Sequence, residues 1–251
     1  MSTSRMFLDK ESSFHRLSNE IKELKFYALI AAVFVLLSYS VYLIFDENTI
    51  INLGREDGLF ENLTAIFFFT AAIFFLRTYL KSRNIYFLLF FLIFLFGAGE
   101  EISWGQRIFH IHTPDYWGKM NKQHEINIHN LKLFNACSKH GLEKLLSINF
   151  QYKLFWFFYA FLLPISVLFL QPVSLITQKI RLPVPPITIG IFFIISWLIF
   201  RLTLSFLLPR GMTIPYYWVI NEIMECNSAL IFMLLSVYFF KNSINALDAN
   251  I

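Results

Sequence analysis

The chain has 251 residues, of which 57% are hydrophobic and 15% are charged, and its formal net charge at pH 7 is +4. Soluble globular proteins are about 45–50% apolar and about 25% charged. The composition therefore excludes a disordered protein, a nucleic-acid-binding module and an ordinary soluble enzyme. It predicts a protein that crosses a membrane several times, with membrane lipids as its surroundings and no nucleic acid as a partner.

The first 25 residues form a mostly polar segment with several lysines and arginines. Phe14, Leu17, Ile21 and Leu24 recur within it at helical spacing. Apolar residues at that spacing among basic ones are typical of an amphipathic helix that lies on a membrane surface. We predict a cytoplasmic amphipathic segment over residues 1–25.

Six later stretches are apolar enough to cross the hydrocarbon core, which takes about 20 residues of helix. They cover residues 26–45, 60–80, 85–105, 154–170, 187–208 and 217–240. A backbone in lipid must hydrogen-bond to itself, so each stretch is predicted to be an α-helix. The predicted fold is all-α: a bundle of about six transmembrane helices over residues 26–241, with one long outer loop at 106–153 and a cytoplasmic tail at 242–251.

Lysines and arginines concentrate at one end of the predicted spans. That end has Arg5, Lys10, Arg16, Lys22, Lys25, Arg77, Lys81, Arg83, Lys179, Arg181 and Lys241. The short connections at the other end have only Arg55 and Arg210. Because basic residues favour the cytoplasmic side of a membrane, we predict that both termini are cytoplasmic and that the protein lies in the inner cell membrane.

Charged side chains inside the spans gather towards the outer end. Glu100 and Glu101 lie near the end of the third span, Arg201 lies in the outer half of the fifth, and Glu222 and Glu225 lie near the start of the sixth. A charge at the centre of a membrane helix costs at least about 2.5–3.5 kcal/mol, so its presence needs a reason. Because these residues reach the same depth, they predict a polar cavity at the outer leaflet.

The adjacent residues Glu100 and Glu101 point about 100° apart on a helix, so both cannot face one partner. Glu100 shares a helical face with Ser103, Trp104 and Arg107. Either glutamate suits the position that faces the cavity, and the sequence leaves that choice open.

The outer loop contains five of the six histidines, namely His110, His112, His124, His129 and His140. Its centre, residues 121–130, reads NKQHEINIHN. Polar residues at alternate positions favour an extended segment, which directs His124 away from Glu125 and His129. A helix would instead place Glu125 and His129 on one face, and both alternatives fit the sequence.

Two motifs resemble those of an uncharacterised bacterial family of multi-pass membrane proteins. The first is the block EEISWGQR at residues 100–107, and the second is the pattern N-x-Q-x-E-x-N-x-H-N at residues 121–130. The resemblance covers roughly residues 61–130, with the helix that contains Glu222 and Glu225 as a weaker third element. It implies a site at these motifs but no particular chemistry.

Histidine and carboxylate side chains together suit zinc, manganese or iron. The candidate ligands are His129, His124 and Glu125, together with Glu101, Glu222 or Glu225. A carboxylate outside the metal's coordination shell would act as a general base. The alternative is structural: Glu100 pairs with Arg107, and Glu222 pairs with Arg201, to tie the outer ends of the helices together.

The leading hypothesis is a membrane-embedded hydrolase or transferase that acts on a lipid or lipid-linked substrate with a divalent metal. Its candidate catalytic residues are Glu100, Glu101, Glu125, Glu222 and Glu225. Its candidate substrate-binding or charge-partner residues are Gln106, Arg107, Asn127, Arg201 and Arg210. Two alternatives stay open: a small ion- or proton-coupled transporter that uses the same carboxylates, and a non-catalytic accessory protein that docks a partner through the outer loop.

Overall fold

The computed structural model describes residues 3–55, 57–106, 108–134, 145–207 and 214–248, and at residues 3–19, 149, 214–215, 217 and 245–248 it describes the backbone alone. The helices in chain order are α1 (Thr3–Ile44), α2 (Glu47–Leu53), α3 (Leu59–Ser82), α4 (Ile85–Glu101), α5 (Asp115–Met120), α6 (Ile148–Trp156), α7 (Leu163–Phe169), α8 (Gln171–Lys179), α9 (Ile187–Leu207) and α10 (Ile214–Asp248). A π-helical segment, Phe157–Leu162, joins α6 to α7. These described ranges contain no β-strand beyond one isolated bridge between Asn121 and Leu131.

The predicted all-α membrane bundle is confirmed. Five helical stretches among the described residues are long and apolar enough to cross a membrane: Glu20–Ile44, Leu59–Ser82, Phe150–Phe169, Ile187–Leu207 and Trp218–Ile244. The remaining predicted span, at 85–105, forms α4, which has 17 residues. That length is at the lower limit for crossing the hydrocarbon core, which takes about 17–25 residues.

Helix α10 is the central helix of the bundle. In its most apolar stretch 72% of the residues are buried, against 17–39% in the other four candidate spans. It contacts α1, α2, α3 and α9. The outer helices leave large apolar side chains such as Leu36, Leu92 and Leu202 exposed, which suits contact with lipid tails. On α10, by contrast, polar side chains such as Asn227, Ser228 and Ser236 are buried.

Two helix boundaries differ from the predicted ones. Helix α1 continues without a break from Thr3 to Ile44, so the predicted boundary at residue 25 is not a helix end. Helix α4 ends at Glu101, before the predicted end at residue 105. Residues 103–105, which the prediction included in the helix, have positive φ angles, which a right-handed helix does not contain. The continuous helical face predicted from Glu100 to Trp104 is therefore wrong.

Aromatic side chains fill the core that surrounds α10. Phe75, Phe193 and Phe232 are fully buried. The rings of Trp156 and Phe193 stack at 5.2 Å, and those of Phe193 and Phe232 are 4.8 Å apart. Such ring pairs contribute about 0.5–1.5 kcal/mol each beyond their buried area. Because this core joins α3, α6 and α9 to α10, the central helix is held from several sides.

Helix α6, the π segment and α7 form one continuous helix whose middle part is π-helical. Pro164 has no N–H to donate to the Ala160 carbonyl four residues earlier, and the π turn accommodates it there. Gly190 on α9 packs directly against this segment. A Cβ atom at residue 190 would lie 2.4 Å from the Ala160 carbonyl oxygen and 2.8 Å from the Phe161 Cα, so the close crossing of α9 requires glycine.

Candidate functional site

The loop after α4, which the sequence predicts to lie on the outer side, begins with a left-handed turn. Ser103, Trp104 and Gly105 have φ angles of 45°, 54° and 76°, a conformation that costs about 1–2 kcal/mol for each residue with a Cβ atom. The turn brings Trp104 back along the helix, where its Nε1 donates to Oε1 of Glu100 at 2.7 Å. The indole lies against Gly99, where a Cβ atom would come within 2.9 Å of the ring. The EEISWGQR block therefore folds onto itself.

Glu100 holds the far end of the motif at 121–130. Its side chain is buried, and Oε2 accepts the backbone N–H groups of Ile128 at 2.6 Å and His129 at 2.8 Å. Nδ1 of His129 lies 3.5 Å from the same oxygen. A buried carboxylate is tolerated only when hydrogen bonds compensate for lost water, and these donors together with Trp104 supply that compensation. Of the two adjacent glutamates, Glu100 is thus the one that binds the loop.

A second contact between the two motifs centres on Ser103. Its Oγ donates to Oε2 of Glu125 at 2.5 Å, and Nδ2 of Asn127 donates to both of those oxygens at 3.0 Å. Nδ2 of Asn121 donates to the backbone carbonyl of Asn127 at 2.9 Å and to its Oδ1 at 2.7 Å. Ser103, Asn121 and Asn127 are all buried. The two asparagines of the loop motif therefore organise its own backbone around the turn.

Gln106 makes the third contact. Its Oε1 accepts the backbone N–H of Ile126 at 2.6 Å, and its Nε2 donates to Oγ1 of Thr113. Oγ1 of Thr113 in turn donates to the His124 carbonyl at 2.6 Å. Both ends of the Gln106 amide are therefore engaged in holding the loop.

Three residues of the first motif, at positions 100, 103 and 106, thus contact the second motif. The segment 121–130 is neither a helix nor a strand, so the helical alternative for Glu125 and His129 is not adopted. The backbone turns at His124, where φ is 58°. His124 is exposed and lines a surface cavity of about 450 Å³ together with His112 and Asp115.

Charged groups from the loop and from α6 have an electrostatic effect on Glu225. This residue lies on α10 with part of its side chain accessible. The charges of His129, from the loop, and Lys153, from α6, act on its carboxyl group. The charges of Glu225 and Glu101 act in turn on the hydroxyl of Tyr152. That hydroxyl is buried and makes no hydrogen bond of ordinary geometry with the described residues.

Glu222 belongs to the same region. It lies one turn before Cys226 on α10, and the charges of Glu222 and Glu101 both act on the Cys226 thiol. Glu101, Glu222 and Glu225 therefore share one end of the bundle with His129, as the sequence predicts for residues at one depth.

Of the three predicted charge partners, only Arg201 lies among the described residues. Arg201 is exposed, and no ion pair between it and Glu222 is recorded, although Glu222 has other contacts. Arg107 and Arg210 lie outside the described residues. The predicted pairing of Glu100 with Arg107 is therefore not tested, and Glu100 has its own donors in the turn and the loop.

The candidate metal ligands are divided between different surroundings. His124 lies at the exposed cavity, His129 faces Glu100, and Glu125 accepts hydrogen bonds from Ser103 and Asn127. Within the part of the chain that the structure describes, no group of three or more His, Cys, Asp or Glu side chains is arranged to hold a metal ion. A metal centre stays a prediction from the sequence.

Sequence reasoning missed Lys153 and Tyr152. Both lie immediately before the predicted fourth span at residue 154, so they were assigned to the loop, whereas α6 begins at Ile148. The available signal was a lysine beside a tyrosine at the edge of an apolar stretch. Such a pair also suits a residue at the membrane surface, so the sequence alone does not distinguish a cavity from an interface.

The arrangement around His129 is suited to proton transfer. A carboxylate that faces Nδ1 favours the tautomer with the proton on Nδ1 and leaves Nε2 as a base. The side chain of His129 is 27% exposed, so the ring is accessible. Glu225 and Lys153 lie near enough for their charges to matter to a reaction at this ring.

A comparison of the chain with known protein families, characterised proteins and solved structures finds no match. The resemblance of the two motifs to a bacterial membrane family therefore stays a prediction. What the motifs do in this chain is known from their contacts: they fasten the outer loop to the end of α4.

Proposed function

We propose that the protein is a membrane-embedded hydrolase or group transferase that acts on a lipid or lipid-linked substrate. The observation that carries this proposal is the contact of Glu100 on α4 with His129 of the loop, whose Nδ1 lies 3.5 Å from Oε2, together with the electrostatic effect of His129 and Lys153 on Glu225. Ionisable groups inside a membrane bundle are costly and commonly mark a functional site. Here three separate elements contribute such groups to one place.

His129 is the proposed general base, and Glu100 is a positioning residue that orients its ring. Nε2 of His129 would accept a proton from water or from an acceptor hydroxyl as that oxygen attacks the substrate. Histidine suits this task because its ordinary pKa lies near neutral pH. The short contacts of Glu100 with the loop backbone keep the ring in one place through the reaction.

Glu225 is the proposed proton donor to the leaving group, with Glu101 and Glu222 as its neighbours. A cluster of carboxyl groups at close range shares protons, because like charges disfavour full ionisation. Lys153 is the proposed partner for negative charge on the substrate or on the transition state.

The position of the site supports a lipid substrate. Glu101 is the last residue of α4, and Glu222 and Glu225 lie in the first part of α10, so the group lies towards one end of the bundle. Ion-coupled carriers commonly place their binding sites near the middle of the membrane. The position near one end therefore favours an enzyme over a transporter.

The proposal is tested with the full-length protein in nanodiscs made from a total bacterial lipid extract. Mass spectrometry of the lipids over time should show at least one lipid class consumed and a product formed. Glu225→Gln and His129→Gln should each lower that rate by about 10²–10⁴-fold, the usual contribution of general acid–base catalysis. Both variants should still insert and purify normally.

His112→Gln is the matched control, because it removes an exposed histidine of the same loop that lies away from Glu225. Its rate should equal that of the unaltered protein. If the unaltered protein consumes no lipid in the extract, or if both site variants keep full activity, the proposed function is wrong.

A further inference from the structure

Two helices at the basic end of the bundle finish with an arginine in a left-handed conformation. Arg83 follows α3 with φ 53° and ψ 23°, and Arg181 follows α8 with φ 56°. The Arg181 N–H donates to the Gln178 carbonyl at 3.1 Å, and the Leu182 N–H donates to the Thr177 carbonyl at 2.9 Å. These two bonds are those of a helix end that usually has glycine in the left-handed position. A left-handed conformation is unfavourable for arginine. The presence of arginine at both helix ends therefore indicates a role for its side chain.

The side chain of Asn84 joins the backbone segments that contain the two arginines. Nδ2 of Asn84, the residue after Arg83, donates to the backbone carbonyl of Arg181 at 2.7 Å. Both arginine side chains are exposed. Neither forms an ion pair with an acidic residue in the described part of the chain, although the Arg83 guanidinium lies 6.0 Å from the centre of the Tyr79 ring. Two exposed arginine side chains therefore extend from backbone positions that lie close together.

The surface beside Arg181 has a polar pocket and, on the same short helix, two exposed apolar side chains. A cavity of about 240 Å³ is lined by Arg181, Ser174 and Gln178 among others. On the same short helix, Leu175 and Ile176 are each 58% exposed. Exposed apolar residues next to basic ones are typical of a helix that lies at the membrane interface, with the apolar side chains in the acyl region and the charges at the headgroups.

We propose that Arg83 and Arg181 together bind the phosphate group of an anionic phospholipid, with its acyl chains against Leu175 and Ile176. Guanidinium groups bind phosphate oxygens through paired N–H donors. The sequence assigns this end to the cytoplasmic side, where anionic lipids attract basic residues. The site is at the opposite ends of α3 and α4 from Glu101, so it is independent of the proposed reaction.

The test replaces each arginine with glycine, in Arg83→Gly, Arg181→Gly and the double variant. Glycine adopts positive φ angles without strain, so the variants should fold at least as stably as the unaltered protein. Native mass spectrometry of the full-length protein in detergent then compares phosphatidylglycerol with phosphatidylcholine of the same chain length. We expect the unaltered protein to prefer phosphatidylglycerol, and the double variant to lose that preference by about tenfold or more.

Arg55→Gln is the control, because it removes an exposed arginine from the other end of the bundle. Its preference for phosphatidylglycerol should be unchanged. Equal preference in the double variant and the unaltered protein would overturn the proposal, and so would an equal loss in Arg55→Gln, which would indicate a general effect of charge. Displacement of the lipid by millimolar inorganic phosphate would indicate a site for the free anion instead of the lipid.

Discussion

Glu100 and His129 are joined twice, through the backbone and through the ring. Oε2 of Glu100 accepts the His129 backbone N–H at 2.8 Å and lies 3.5 Å from Nδ1 of the same residue. The same carboxylate oxygen therefore binds the loop backbone and lies beside the imidazole. This relationship gives Glu100 a positioning role and leaves Glu101, Glu222 and Glu225 as the carboxyl groups that line the region near Tyr152 and Cys226.

We predict that Glu100→Gln lowers the free energy of unfolding by about 1–3 kcal/mol, because an amide presents only one acceptor oxygen. That oxygen can accept from Trp104 or from the Ile128 and His129 N–H groups, but not from both sides. The NH₂ group of the new amide would then face the N–H donors on the remaining side. Thermal or denaturant unfolding of the protein in detergent measures the change.

Glu23→Gln is the control for this measurement, since Glu23 is an exposed glutamate on α1. It should unfold like the unaltered protein. Unchanged stability of Glu100→Gln would mean that the hydrogen bonds between α4 and the loop contribute nothing to the fold.

We also predict that Gly190→Ala destabilises the bundle by about 1–3 kcal/mol, because the added methyl group would overlap the backbone of the π segment. Gly97→Ala is the comparison. A Cβ atom at residue 97 would meet only the ring of Phe68, at 3.2 Å, and a ring can shift where a backbone carbonyl cannot. The unfolding temperatures of the two variants in the same detergent should therefore differ, with Gly190→Ala the lower. The reverse order would contradict the close crossing of α9 and the π segment.

Elemental analysis of the purified protein tests the predicted metal. The separation of His124, His129 and Glu125 favours acid–base chemistry by the side chains themselves, so we expect lipid conversion to survive dialysis against a chelator. Stoichiometric zinc, manganese or iron that is lost in His129→Ala would instead show that the reaction uses a metal at this residue. His112→Ala serves as the control for metal bound weakly by surface histidines.

Local patterns were enough to predict the membrane helices. Four apolar runs of span length correspond to parts of α1, α3, α9 and α10. The run at 154–170 corresponds to the continuous helical segment from α6 to α7. A helix in lipid satisfies its own backbone, so its presence depends on the composition of one stretch and on little else. The common depth of Glu101, Glu222 and Glu225 follows from the same reasoning, because each is counted from a helix end.

The left-handed turn after α4 could not be predicted in this way. Serine and tryptophan seldom adopt positive φ angles, and the turn persists because Trp104 reaches Glu100 and Ser103 reaches Glu125. Those partners come from the helix before the turn and from a loop about twenty residues later. The choice between Glu100 and Glu101, which the helical pattern left open, depends on that turn.

An all-α membrane fold with several acidic residues near one end of the spans is predictable from the sequence, because hydrophobicity and helical length are properties of single segments. The role of Glu100 in holding the loop, and the proximity of Tyr152 and Lys153 to Glu225, become known only from the folded structure. Those assignments depend on contacts between segments far apart in the chain. Such contacts arise from packing and hydrogen bonding in three dimensions, which the pattern within one segment does not encode.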